Sequence, residues 1–138
     1  MDKALNYLAL AKKGRLIELG EEPVGAITRA VKGRLVIVAS DASDHTWRRA
    51  KSFVAGTDQQ CLRVPFSKEE LGFVVGRTSL AIAAFTDVAM ALAFVKALPD
   101  QEMVKEVRET LDAKSRKLRQ RKDEAKAHER NVRLGKKK

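Results

Sequence analysis

The stretch LVIVASDAS, residues 35–43, decides the fold class of this 138-residue chain. Its unbroken apolar run from Leu35 to Ala39 is typical of a strand that is buried on both faces of a sheet. The serines and aspartates that follow predict a turn and a helix N-cap, because their side chains accept hydrogen bonds from free backbone N–H groups. A helix is expected from Asp44 to Val54, so the stretch indicates a strand followed by a helix.

The same alternation of strands and helices extends to both sides of this stretch. Helices are predicted over 2–13, 23–32, 44–54 and 87–98. A further short helix is predicted after Ser67, because Ser67 and Glu70 form a capping box. Strands are predicted over 15–19, 35–39, 61–64 and 80–85. This order indicates a layered α/β domain in which helices cover a sheet of four strands.

Positive charge is concentrated at the end of the chain. The sequence holds 28 Lys and Arg against 18 Asp and Glu, for a net charge of +10. Residues 112–138 carry 12 basic and 4 acidic side chains, whereas residues 1–111 carry 16 and 14, so the two parts have net charges of +8 and +2. We therefore expect a domain over 1–98 and a basic tail over 99–138, mostly helical or partly disordered, that favours nucleic acid over an acidic membrane surface.

The few chemically reactive side chains exclude most kinds of catalytic site. One cysteine, Cys61, excludes a disulfide framework and every metal site built from several cysteines. His45 and His128 are the only histidines, and neither a glycine-rich phosphate loop nor a nucleophile–base arrangement is found. We expect a protein without catalytic activity, metal or other cofactor.

The termini and hydropathy give an expectation about location. No apolar run approaches the roughly 18 residues of a membrane span. The start, Met1-Asp2-Lys3-Ala4, lacks the basic and then apolar pattern of a signal peptide. The sequence therefore predicts a cytoplasmic protein that makes no membrane contact, and we expect it to be a monomer.

Three segments in order resemble a known family. They are Gly20-Glu21-Glu22, the stretch over 35–43, and VPFSKEELG over 64–72. Their sequences and spacing resemble the ribosomal L-seven-Ae / L-thirty-e family, and AKKGRL over 11–16 is similar to the bacterial, YlxQ-like members. The resemblance covers residues 4 to about 98. It implies a three-layer α-β-α sandwich around a mixed four-stranded sheet.

The resemblance also implies a function and a site. Many members of the family bind RNA, often kink-turns, which are sharply bent duplexes with tandem sheared G·A pairs. The turn after the first strand enters the widened groove, and a loop before the last strand covers a flipped-out nucleotide. Carried onto this sequence, these elements are Gly20, Glu21 and Glu22 with the start of the next helix, and Gly76 with Arg77, Thr78 and Ser79.

The candidate turn departs from the family pattern at its base-reading positions. Family kink-turn binders commonly carry Gly-x-Asn-Glu, with Lys three residues later. Counted from Gly20, those positions hold Glu22, Pro23 and Ala26. Glu22 can accept hydrogen bonds from a guanine edge, or it can simply stabilise the helix N-terminus. Whether the RNA is a standard kink-turn, ribosomal RNA or another structured RNA stays open.

Several further residues are candidates for RNA contact. Gly25 costs about 1 kcal/mol inside a helix, which indicates that RNA or a neighbouring element approaches the backbone closely. Arg77, Thr78 and Ser79 suit phosphate and ribose contacts, or form a plain turn. The basic residues near the first turn suit phosphate contacts as a set, although each alone is typical of a solvated surface: Lys12, Lys13, Arg15, Arg29, Lys32 and Arg34.

Three functions of different classes stay open. The first is a non-catalytic RNA-binding protein of ribosomal type that binds structured RNA, with the ribosome as a candidate partner. The second is a protein–protein adaptor of the same fold whose tail contacts RNA without specificity. The third is an accessory domain of an enzyme, because similar domains precede RNA methyltransferases.

Overall fold

The computed structural model describes residues 2–133, which form six helices and four strands. The helices are α1 (Lys3–Lys13), α2 (Glu21–Arg29), α3 (Asp44–Val54), α4 (Lys68–Val74), α5 (Val88–Lys96) and α6 (Lys105–Arg133). The strands are β1 (Ile17–Leu19), β2 (Leu35–Val38), β3 (Gln60–Arg63) and β4 (Ile82–Phe85). Each strand lies within two residues of its predicted bounds. The predicted tail segment 134–138 lies outside the described residues.

The four strands form one mixed sheet in the order β1-β4-β2-β3. β4 is antiparallel to both β1 and β2, and β2 is parallel to β3. Every residue of β2 and β4 is buried, so both faces of the sheet are covered. α2 packs with α3, and α1 packs with α4 and α5, which supplies the two outer layers. The predicted three-layer α-β-α sandwich is confirmed.

The predicted helix caps are confirmed. The Ser67 hydroxyl accepts from the Glu70 N–H at 3.0 Å, while the Glu70 carboxylate accepts from the Ser67 N–H at 3.0 Å. Asp87 caps α5 in a similar way, its Oδ2 accepting from the Met90 N–H at 2.9 Å. These bonds satisfy N–H groups that the first turn of a helix leaves free.

The start of α2 differs from the prediction. The helix begins at Glu21 and not at Pro23, so the proline occupies the third helical position. It is tolerated there because the first N–H groups of a helix have no partner within that helix.

The end of α2 also differs from the prediction. The helix stops at Arg29 and not at Lys32, because the Val31 N–H donates to the Thr28 carbonyl and the Lys32 N–H to the Ile27 carbonyl. This pattern places Val31 in the left-handed region with φ of 56°. Val31 is 49% exposed. A glycine normally marks this position, and its absence hid the helix end.

A buried amide side chain joins α2 to the starts of β2 and β3. Gln59 is 4% exposed, its Oε1 accepts from the Gly33 N–H at 2.8 Å, and its Nε2 donates to the Thr28 carbonyl at 3.1 Å. A Cβ at Gly33 would lie 2.9 Å from the Gln59 Oε1, so the glycine leaves room for this amide. Backbone groups that the irregular end of α2 leaves unpaired are thereby satisfied.

The hydrophobic core continues beyond the predicted domain boundary at Leu98. α6 packs along α5, and the buried residues of this part of the chain include Val104, just before α6, and Leu111 within it, which are 4% and 0% exposed. Lys114 Nζ lies 3.1 Å from Asp58 Oδ2, and this contact lowers the pKa of Asp58 below its usual range. The first turns of α6 therefore pack on the core and on Asp58, while most side chains of the helix from Arg116 to His128 are exposed.

The loop between α4 and β4, residues 76–80, rests directly on the backbone of α4. A Cβ on Gly72 would lie 2.7 Å from the Ser79 Cα and 2.8 Å from the Arg77 carbonyl oxygen. The Arg77 N–H donates to the Gly72 carbonyl at 2.8 Å, and the buried Leu80 donates its N–H to the Lys68 carbonyl. Only glycine allows this approach.

We expect Gly72→Ala to lower the free energy of unfolding by about 1–3 kcal/mol, because the added methyl group overpacks the loop. Gly14→Ala is a matched control, since a Cβ at Gly14 would meet its neighbours at 3.5 Å, an ordinary contact distance. Urea unfolding followed by circular dichroism measures both. Equal stabilities would show that the loop adjusts to the methyl group without cost.

We also expect the domain to need the first turns of α6. A chain that ends at Leu98 loses Val104 and Leu111 and should therefore unfold at a lower temperature than the whole chain. Each buried side chain contributes about 1.5–3 kcal/mol to the free energy of unfolding. A chain that ends at Gln120 keeps both and should unfold at the temperature of the whole chain. Thermal unfolding of the two shortened chains tests this, and equal melting temperatures would contradict it.

Candidate nucleic-acid interface

The turn after β1 is shaped by Gly20. This residue is the N-cap of α2 with φ of 98°, a conformation that side chains other than glycine rarely adopt. Its N–H donates to the Ile82 carbonyl at 3.0 Å, and its carbonyl accepts from Val24 at 3.0 Å. The first turn of α2 is therefore held at the Ile82 end of β4.

Arg77 brings the second predicted element against this turn. Its Nη1 lies 3.6 Å from the position that a Cβ on Gly20 would occupy. Arg77, Thr78 and Ser79 are all exposed, and Gly76 has the positive φ of 77° that the loop requires. The two elements that the resemblance singled out therefore meet. We call Gly20, Glu21, Glu22, Arg77, Thr78 and Ser79 the Gly20–Arg77 surface.

The two glutamates of the turn have different surroundings. Glu21 Oε1 lies 2.6 Å from Arg49 Nε, which joins the start of α2 to α3. Glu22 is exposed and has no ion pair among the side chains of residues 2–128. A single carboxylate thus remains available to accept hydrogen bonds from a ligand at this end of α2.

Gly25 has a structural explanation. A Cβ there would lie 3.3 Å from Phe53 Cζ and 3.3 Å from Arg29 Nη1, so the glycine lets α2 and α3 approach closely. The close neighbour that the sequence led us to expect is therefore an aromatic ring of the same chain. Arg29 remains at the edge of a groove of about 230 Å³, which Glu22, Arg49 and Phe53 also line.

Two of the predicted cations lie at different ends of the sheet. Lys13, at the end of α1, lines a groove with Lys12 and Gly76, next to Arg77. Arg34 donates its N–H to the Phe85 carbonyl, at the opposite end of β4 from Gly20. Arg34 is therefore near the first turn in sequence but not in space, because β2 starts at the end of the sheet opposite the Gly20 turn.

Sequence reasoning missed Arg49 and Phe53 at this interface. The Arg49 guanidinium lies 5.2 Å from the centre of the Phe53 ring while it pairs with Glu21. Their spacing of four residues on α3 was the available signal, since it places both on one helix face. Trp47 has both Arg63 and Lys51 near its ring, at 5.0 and 5.7 Å.

The remaining reactive groups do not form a further centre in the described part of the chain. Burial raises the pKa of the Cys61 thiol to about 11, so the thiol is protonated and weakly reactive at neutral pH. Among residues 2–133 there is no group of three metal-ligating side chains. No helix in the same range is long and apolar enough to span a membrane.

Known proteins are similar to this chain in sequence and in fold. No family model matches the chain. The RNA-binding protein YlxQ of Enterococcus faecium is 32% identical over 75 residues, which are 54% of this chain and 72% of that protein.

Two solved structures share the fold. A Bacillus halodurans protein of unknown function has a TM-score of 0.67 at 23% identity, covering 72% of this chain and 100% of its own. The Giardia lamblia 15.5kD RNA binding protein has a TM-score of 0.54 at 18% identity, covering 78% of this chain and 87% of its own. At these identities the structural matches establish the fold alone. Together with the identity to YlxQ, they show that the chain belongs to the ribosomal L-seven-Ae / L-thirty-e family, as a YlxQ-like member.

Proposed function

We propose that this chain is a non-catalytic, monomeric RNA-binding protein that holds structured RNA on the Gly20–Arg77 surface. The observation that carries the proposal is the position of the Arg77 guanidinium beside the Gly20 turn, with Nη1 3.6 Å from the place of a Gly20 Cβ. The RNA-binding relative YlxQ supports the same ligand class. Cytoplasmic location and contact with the ribosome are part of this proposal.

Each part of the surface has a role in the proposed complex. The Arg77 fork suits bidentate contact with a phosphate, and the hydroxyls of Thr78 and Ser79 suit phosphate and ribose 2′-hydroxyl oxygens. The exposed Glu22 carboxylate suits the N–H edge of a guanine, which is a contact that depends on the base. Lys12 and Lys13, next to Gly76, add charge that strengthens binding without reading sequence.

The preferred RNA in this proposal is bent at G·A pairs, as a kink-turn is. Glu22 and Ala26 are both exposed and lie one turn apart on α2. They occupy the positions at which kink-turn binders of the family commonly carry an amide and a lysine. The proposed site therefore keeps the turn and the loop of a kink-turn site but lacks the amide and the lysine that commonly contact the RNA.

A protein adaptor is the second candidate function. The observation in its favour is an apolar area on α1 and α4, where Phe73 is 70% exposed and Leu10 is 50% exposed. Exposed aromatic and aliphatic side chains of this size favour protein contacts. An adaptor whose tail alone binds RNA would not distinguish bent from straight RNA.

We expect Arg77→Ala to weaken binding of a bent, G·A-containing RNA by about tenfold or more, since a charged hydrogen bond contributes about 1.5–3 kcal/mol. Binding of a straight duplex should change less, because the duplex lacks the widened groove. Gel-shift titration of both RNAs at one salt concentration measures the ratio. Arg119→Ala is the matched control on α6, and it should leave that ratio unchanged. An unchanged ratio for Arg77→Ala, with unchanged unfolding temperature, would favour the adaptor.

We further expect the double change Glu22→Asn with Ala26→Lys to tighten binding of a standard kink-turn RNA. The amide supplies a donor and an acceptor, and the lysine adds a cation one turn along the same face. Each new contact contributes about 1–3 kcal/mol of binding free energy, so the double variant should bind the kink-turn RNA more tightly than either single variant. Gel-shift titration at fixed salt measures this gain.

The control pair for this experiment is Glu109→Asn with Ala113→Lys. Both residues are exposed on α6 and are separated by the same four positions, so the charge change is identical. This control should raise the affinity for kink-turn and straight RNA equally. If the α2 variant does no better than the control, the RNA is not a kink-turn or Glu22 does not occupy the position of the family amide.

A further inference from the structure

A basic cleft lies where α6 passes the far end of the sheet. It has a volume of about 360 Å³, and the sheet end and the start of α5 form one wall while α6 forms the other. The charged residues that line it are Arg34, Asp58, Asp87, Lys114, Lys117 and Arg121. Four cations thus face the cleft with two carboxylates.

Both carboxylates of the cleft are already engaged. Asp58 Oδ2 lies 3.1 Å from Lys114 Nζ, which also donates to the Asp58 carbonyl at 3.0 Å. Asp87 Oδ2 accepts from the Met90 N–H at 2.9 Å as the cap of α5. Lys114 and Asp58 neutralise each other, and the Asp87 carboxylate is held toward its own helix.

Three cations of the cleft have no such partner. Arg34, Lys117 and Arg121 take part in no ion pair with any side chain of residues 2–128. Lys117 and Arg121 are exposed and four residues apart on α6, so they lie on one face of the helix. Arg34 is half-buried on the opposite wall. The cleft therefore has positive charge on both walls.

We propose that this cleft, lined by Arg34, Lys117 and Arg121, binds the phosphate backbone of RNA as a second site, separate from the Gly20–Arg77 surface. The inference rests on the proposed RNA-binding function. Guanidinium and ammonium groups on two walls suit a phosphate ridge that enters the cleft, because each can bond a different phosphate oxygen. A flat anionic surface such as a membrane cannot enter it.

The two sites lie at opposite ends of one strand. The Gly20 N–H donates to the Ile82 carbonyl and the Arg34 N–H to the Phe85 carbonyl. These carbonyls are three residue steps apart on β4, which is about 10 Å along the strand. The cleft and the Gly20–Arg77 surface are therefore separate regions at opposite ends of β4.

The experiment compares two double variants of the full chain. Lys117→Ala with Arg121→Ala removes two charges that line the cleft. Lys122→Ala with Lys126→Ala removes two exposed charges from the same helix that do not line it. Affinity for a straight RNA duplex is measured by fluorescence anisotropy over a range of KCl concentrations. Circular dichroism checks that the helix content of the two variants is equal.

The cleft variant should lose about two phosphate contacts. The slope of log affinity against log salt should fall by about 1.8, whereas the control should keep nearly the full slope. Between about 50 and about 200 mM KCl, the parent's affinity should therefore drop about tenfold more than that of the cleft variant. Arg34→Ala should lower the slope by about 1, with thermal unfolding as the check on folding.

The outcomes separate this inference from the proposed function. Equal slopes for the two double variants, or an unchanged slope for Arg34→Ala, would overturn the cleft as a site while leaving the effect of Arg77→Ala intact. If neither Arg77→Ala nor the cleft variant alters RNA binding, the proposed function itself fails. Vesicles of anionic phospholipid serve as a competing probe, and a cleft variant that loses vesicle binding but keeps RNA binding would also overturn the inference. If the losses of RNA-binding free energy caused by Arg77→Ala and by the cleft variant add when the two are combined, the result would support two independent sites.

Discussion

The central position of β4 determines where the Gly20 turn and Arg34 lie. Its backbone is hydrogen-bonded to β1 on one side and to β2 on the other, and all four of its residues are buried. The carbonyl of Ile82 holds the Gly20 turn, and the carbonyl of Phe85 holds Arg34. Two segments that are neighbours in sequence are thus fixed at opposite ends of the sheet. A change that shifted the register of β4 would move both ends together.

Most of the fold could be predicted because its signals are local. The buried run from Leu35 to Val38 and the capping box at Ser67 each depend on residues next to one another, and both appear as expected. The end of α2 could not be predicted, because Val31 adopts a left-handed conformation and the neighbouring Thr28 and Gly33 are bonded by Gln59, which lies far along the sequence, just before β3. The packing of residues after Leu98 onto the core could not be predicted for a related reason. Pro99 indicates a break in the chain, but nothing local shows that Leu111 returns to the core.

The candidate site shows the same division. The meeting of the Gly20 turn with Arg77 followed from the family resemblance, which supplies spatial information that composition lacks. Grouping Arg34 and Lys13 with the turn relied on distance along the sequence, and only Lys13 lies next to the loop. The role of Gly25 was half predictable: its cost inside a helix indicated a close neighbour, yet only the structure identifies that neighbour as Phe53. The ion pair between Glu21 and Arg49 joins two helices and therefore leaves no periodic signal in the sequence.

The contact between Gly72 and the Arg77–Ser79 backbone has a consequence for the thermodynamics of binding. Because the loop is seated on α4 with no side chain between them, its main chain is ordered before any ligand arrives. Ordering a free backbone residue costs about 1–2 kcal/mol, and a loop that is already ordered largely avoids that loss on association. The polar groups of Thr78 and Ser79 are thus presented by a preorganised element, so a ligand that bound there would lose little free energy to ordering the loop.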